Sequence, residues 1–200
     1  NQELIILIVT VVIFAGFSVF LDKFFSTGNL LTLMRSVSIL GILSIAMAVV
    51  VISKGIDLSL IATLAVGTAL ASVMSSPDVL PSFDLPFGYA VLLGFLFTAV
   101  LCAITGILVA YWDMASVFVT LAMAGVIYGL GRTLFIGDEL NYLPEDAVWL
   151  EYLGRGQLLG VPMPIICFLS LAFVMHLVLT KTTFGKFVYS IGDSGLAART

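Results

Sequence analysis

Stretches of about twenty apolar residues recur along this chain with only short polar breaks between them, and that recurrence decides what it can fold into. A hydrocarbon layer about 30 Å thick is crossed by roughly 20 residues of helix rising 1.5 Å each. The runs are Leu4 to Leu21, Leu30 to Ser53, Leu58 to Ser76, Gly88 to Tyr111, Ser116 to Ile136 and Val161 to Thr180. Lipid supplies no hydrogen-bond partners, so each span must satisfy its own backbone and is therefore a helix. The expectation is an all-α, polytopic integral membrane protein with about six transmembrane helices. Residues 1–200 are read as a single transmembrane domain. The third run is small and partly polar, and is expected to be shorter than the others or partly re-entrant.

Charge supports the same solvent. Only 10% of the residues are charged while 61% are hydrophobic, whereas a water-facing domain carries about 25% charged residues. The formal charge of −4 excludes a basic nucleic-acid footprint. Cys102 and Cys167 sit in apolar runs without a second thiol at metal-ligand spacing, so they read as membrane-buried spectators, and no metal or cofactor is expected. An intramembrane enzyme would need a nucleophile with a base, or a metal cluster. The single histidine, His176, has no carboxylate four residues away and reads as a hydrogen-bonded packing residue. No basic segment precedes the first apolar run, so no cleavable targeting peptide is expected there.

The breaks between runs are polar. Pro77, Asp78, Pro81, Asp84, Pro86 and Gly88 form a turn region, and residues 137–160 carry enough acid to stay outside the membrane, with a short surface helix expected among them. If the spans alternate, Lys54, Lys181, Lys186 and Arg199 share one side and Lys23 and Arg155 the other, a bias toward cytoplasmic termini. Arg35 and Arg132 fall inside spans, where an arginine costs roughly 2.5–3.5 kcal/mol at the helix centre. Two roles stay open for them: snorkelling to the interface, or facing an outer cavity. Tyr111, Trp112, Tyr142, Trp149 and Tyr152 suit interfacial anchoring. Gly125 with Gly129, Gly106 with Ala110, and the third span's Ala65, Gly67, Ala69, Ala71 and Ser72 offer small faces for close helix packing or a smooth solute path.

Gly55-Ile56-Asp57-Leu58-Ser59 interrupts two apolar runs at a membrane boundary, and Asp57 is placed to cap the helix that follows. This pentapeptide resembles the Gly-Ile-Asp-Leu-Ser signature of the ribose, xylose and arabinose-type permeases of bacterial ATP-binding-cassette (ABC) importers. Ser38 to Leu43 is similar to the helix preceding that signature, and Gly106 to Tyr111, Phe118-Val119-Thr120-Leu121, Thr183-Phe184-Gly185-Lys186, Tyr189 to Asp193 and Ala197-Ala198-Arg199 are similar to later landmarks of that family, in family order. Leu60, Ile61 and Ala62 depart from the family's usual Val-Gly-Ser, and Asp113, Met114 and Ala115 from a basic residue followed by Ile-Pro. These departures caution against transferring solute specificity.

The resemblance implies an N-terminal portion of a permease, ending inside a cytoplasmic coupling loop and lying in the bacterial inner membrane. Its implied partners are an ATP-hydrolysing subunit, a second permease copy or homologue, an external solute-binding protein and membrane lipid. The implied coupling segment comprises Thr183, Phe184, Gly185, Lys186, Gly192, Asp193, Ala197, Ala198 and Arg199, its glycines read as permitting turns. The other reading of that stretch is an interfacial loop whose lysines touch anionic lipid. The chain has no Gly-x-x-x-x-Gly-Lys-Ser/Thr phosphate loop, so ATP hydrolysis would lie on another polypeptide. A secondary transporter, a channel and a nucleoside permease are the alternatives to a monosaccharide path.

Overall fold

The computed structural model describes residues 2–76, 85–112, 114–134 and 147–193, leaving aside the side chains at 3 and 134. Among them, α1 (Gln2–Phe20), α2 (Thr27–Ile52), α3 (Leu60–Met74), α4 (Phe87–Tyr111) and α5 (Ser116–Leu134) precede a short surface helix, α6 (Val148–Arg155). A two-residue hairpin of β1 (Gln157–Leu158) and β2 (Val161–Pro162) leads into α7 (Met163–Lys181) and α8 (Thr183–Asp193). Leu159 and Gly160 at its tip both have positive φ (52° and 81°), as a type I′ turn requires. The protein is an all-α polytopic membrane protein, and the hairpin is a surface ornament on it.

Among the described residues, four helices are long and apolar enough to cross a membrane: Thr27–Ile52, Phe87–Tyr111, Ser116–Thr133 and Met163–Lys181. Leu4–Phe20 and Leu60–Met74 are apolar but shorter. At 15 residues, α3 extends only about 22 Å, so the third run is indeed the short one. The chain leaves α1 through a turn pinned by aromatic edges: the Phe24 ring lies 5.3 Å from Phe14 and 5.7 Å from Phe17. Ser26 then caps α2, its hydroxyl accepting the Asn29 N–H at 3.3 Å.

The best-buried apolar side chains lie where α3, α4 and α5 meet. Val66, Leu101, Val119, Met123 and Ile127 form one cluster there. Glycines set how closely these helices approach. A Cβ on Gly94 would stand 2.7 Å from the Gly67 carbonyl, and one on Gly67 would stand 2.7 Å from Thr98 Cγ2. Gly131 similarly receives the Val66 side chain, and Gly41 on α2 receives the Phe168 ring of α7. Small residues thus permit the contact that lipid does not drive. By contrast, nothing lies within 4 Å of a Cβ built on Gly106, Gly125 or Gly129. The small faces expected to pack at those positions are open.

Candidate functional site

The packing of α3 against α4 and α5 leaves a cavity of about 960 Å³ that follows α3 from end to end. Its lining includes Asp57 and Leu60 at the start of α3, and Arg132, Phe87 and Leu150 at the other end. Between them stand Thr63, Thr68 and Ser72 of α3, Thr98 and Cys102 of α4, and Tyr128 of α5. Thr63, Thr68 and Thr98 donate their hydroxyl protons to carbonyls of their own helices, at 2.9 Å to Ser59, 2.9 Å to Leu64 and 3.0 Å to Gly94. Their lone pairs remain as acceptors along an otherwise apolar wall. Such a wall suits a neutral hydroxylated solute held weakly.

The segment joining α2 to α3 forms the floor near Asp57. Helix α2 ends in a Schellman turn: the Gly55 N–H reaches the Val50 carbonyl and the Lys54 N–H the Val51 carbonyl, each at 2.9 Å. Glycine usually takes the left-handed position of that turn, yet here Lys54 holds it at φ 59°. A side chain there costs roughly 1–2 kcal/mol. The lysine Nζ lies 3.5 Å from the Asp193 carbonyl at the last residue of α8, a favourable place for a cation.

Beyond the turn the backbone is irregular, and its polar groups take partners from the neighbouring helix. The Ile56 N–H donates to Ser116 Oγ at 3.2 Å, and the Leu58 N–H to Thr120 Oγ1 at 3.1 Å. Thr120 is buried, and its own proton has the Ser116 carbonyl at 2.8 Å and the Ile56 carbonyl at 3.2 Å as acceptors. The hydroxyls that open α5 therefore clasp the signature segment. Within it, Asp57 Oδ1 accepts the Ser59 N–H at 2.8 Å and the Ser59 hydroxyl at 2.6 Å. Ser59 is the N-cap residue of α3. The carboxylate thus braces the cap residue instead of bonding the N–H groups of the first turn, which was the role expected of it.

At the same end lies α8. Its buried residues Gly185, Val188 and Gly192 recur at helical spacing and face the bundle. A Cβ on Gly185 would overlap the Leu179 carbonyl, and one on Gly192 the Ile52 carbonyl. These glycines were expected to permit turns. They lie inside a helix, and close approach is what they provide. Phe184, Phe187 and Ile191 lie on the outward side and are exposed. Thr183, Lys186 and Asp193 belong to the same helix, whereas Ala197, Ala198 and Arg199 lie outside the described residues.

The two intramembrane arginines part company. Arg132 lines the cavity at the end opposite Asp57. Arg35 is not among the lining residues; its Nη2 donates to the Arg155 carbonyl at 2.6 Å, where α6 ends. Helix α6 is also fixed by Trp149, whose ring lies 5.9 Å from Phe87. His176 is exposed on α7 and does not fill a packed interior. Thr98 and Tyr128 of the cavity wall and Ser116 of the clasp had not been singled out from the sequence. A hydroxyl at helical spacing in an apolar run is a common feature, and only packing distinguishes the ones that face a cavity.

A family described as "Branched-chain amino acid transport system / permease component" matches residues 29–200. The ribose import permease protein of Bacillus subtilis (strain 168) is 33% identical over 181 residues, covering 90% of this chain and 54% of that protein. The ribose import permease protein of Escherichia coli (strain K12) is 28% identical over 204 residues, covering 100% of this chain and 60% of that protein. The L-arabinose ABC transporter permease protein of Azospirillum brasilense is 31% identical over 193 residues, with 96% and 54% covered. The chain thus spans somewhat more than half the length of these curated relatives. No solved structure matches it.

Proposed function

Since the chain belongs to the family of branched-chain amino acid transport system permease components, we propose that it forms part of the membrane path of an ATP-driven importer for a monosaccharide. The observation that carries this reading is the hydroxyl-lined cavity along α3, with α8 close to the Asp57 end. Its threonine hydroxyls offer acceptors to sugar hydroxyls. Apart from Asp57 and Arg132 at its ends, the lining is uncharged, so a neutral solute passes without meeting a buried charge midway. Weak contacts suit a path that must release what it admits, and they leave selectivity to an external solute-binding protein.

In this reading ATP is hydrolysed on a separate subunit docked against α8 and the residues that follow it. The exposed Phe184, Phe187 and Ile191 supply the apolar ridge for such a groove. The end bearing α8 faces the cytoplasm of a bacterial cell, and the end bearing α6 and Arg132 receives the solute-binding protein outside the inner membrane. A second permease copy or homologue covers apolar faces of the bundle that this chain leaves open.

The test is co-purification of the full-length permease with its ATPase subunit, followed by uptake of ribose, arabinose and galactose into proteoliposomes. Wild type is expected to hold the ATPase subunit and to import at least one sugar only when ATP and the binding protein are present. Replacement of Phe184 and Lys186 together with Ala197-Ala198-Arg199, leaving the packed Gly185 in place, is expected to abolish the complex. A wild-type protein that binds no ATPase subunit under any nucleotide condition overturns the importer reading and leaves a channel or secondary transporter.

A further inference from the structure

Helix α8 touches the bundle at two places of different character. Near its start, Gly185 is pressed on the Leu179 carbonyl at the end of α7, and Thr182 between the two helices is extended (φ −109°, ψ 162°). Near its end, Gly192 is pressed on the Ile52 carbonyl and the Lys54 amine reaches the Asp193 carbonyl. A helix of 11 residues is about 16 Å long. Any swing about Thr182 is therefore largest where α8 meets the end of α2. Gly192 and the Ile52 carbonyl are already in close contact at that junction, so movement of α8 toward α2 presses on the turn at Ile52 to Gly55.

The turn is tied to α5 as well. On its far side Ile56 and Leu58 are bonded to the Ser116 and Thr120 hydroxyls, and Asp57 between them lines the cavity. We infer that residues 53–59 are the transmission of this protein: Lys54 and Gly192 latch α8 to the α2 turn, and the Ser116–Thr120 clasp converts movement of that turn into movement of α5 and of the cavity floor at Asp57. Thr120 and Lys54 are on this account positioning residues that touch no solute. Lys54 occupies a backbone conformation suited to glycine, and its side chain is what reaches α8 from that position. The inference rests on the proposal above that the ATPase subunit docks on α8.

The experiment uses the full-length permease assembled with its ATPase subunit and solute-binding protein in proteoliposomes, reading complex formation, ATP hydrolysis and sugar uptake together. Thr120→Val keeps the shape and removes the Thr120 half of the clasp, leaving the Ser116 bond to Ile56; Lys54→Met keeps the stem and removes the lysine half of the latch. Each is expected to retain the complex and its hydrolysis while uptake falls about tenfold, in the usual range of coupling between sites. Thr120→Ser, which keeps the hydroxyl, is expected to restore uptake. Wild-type uptake in both Thr120→Val and Lys54→Met overturns the transmission. So does loss of complex, hydrolysis and uptake in parallel, or failure of Thr120→Ser to rescue, because each marks a packing role. A wild-type permease that binds no ATPase subunit is a separate result, seen before any variant is compared, and it overturns the importer reading together with this one.

Discussion

Gly94 and Gly88 share α4, and the space around each decides what one added methyl group does. A Cβ at Gly94 would meet the Gly67 backbone carbonyl at 2.7 Å, and backbone cannot rotate away. Gly94→Ala is expected to cost about 1–3 kcal/mol, as overpacking does. Nothing lies within 4 Å at Gly88, so Gly88→Ala is expected to be neutral or to stabilise by about 0.5–1 kcal/mol through backbone entropy. In detergent, as followed by fluorescence-detected size exclusion, the thermal midpoint should fall for Gly94→Ala and hold or rise for Gly88→Ala; equal shifts would deny that α3 and α4 cross at Gly94. The sequence marks small faces at Gly67, at Gly106 with Ala110 and at Gly125 with Gly129, but of these only Gly67 is in close contact with another helix. Small residues state where a backbone is able to approach. Which of those faces is used depends on bulk elsewhere, here Val66 and Thr98, and single-residue reading does not weigh that.

At the scale of elements, the six apolar runs and the shortness of α3 were legible because hydropathy and length are properties of a run of residues. Helix α8 was not, because Gly185 and Gly192 were read as turn formers. The contrary signal was present: Gly185, Val188 and Gly192 recur with the same spacing as Phe184, Phe187 and Ile191, one set buried and the other exposed. The floor segment was half legible. Asp57 stood out as a lone carboxylate between apolar runs, but its clasp comes from Ser116 and Thr120, some sixty positions on, and no local pattern links them. A prediction follows for α8. Phe187→Glu lies on the exposed side, so stability should change by no more than about 0.5 kcal/mol, while co-purification of the ATPase subunit should fall sharply. Retained binding would mean that the ridge faces lipid, the other role open to an amphipathic helix at an interface.

For the whole molecule, orientation turns on how the arginines inside spans are counted. Leaving them out favours a cytoplasmic location for the end with Lys54, Lys181 and Lys186. The Arg35 contact to Arg155 and the place of Arg132 in the last turn of α5 put both at the opposite end, with Lys23. Basic charge among the described residues is then nearly balanced between the two ends, and the positive-inside rule loses its force. Orientation then follows from the docking proposed for α8: if its ridge receives an ATPase, that end faces the compartment that holds ATP. Single-cysteine labelling separates the cases. In a Cys102→Ser, Cys167→Ser background, Lys186→Cys should react with a membrane-impermeant maleimide in inside-out vesicles and stay silent in spheroplasts, while Arg155→Cys should do the reverse. The opposite pattern would place α8 outside, remove it from any contact with a cytoplasmic ATPase, and leave the hydroxyl-lined cavity to a transporter driven by something other than nucleotide.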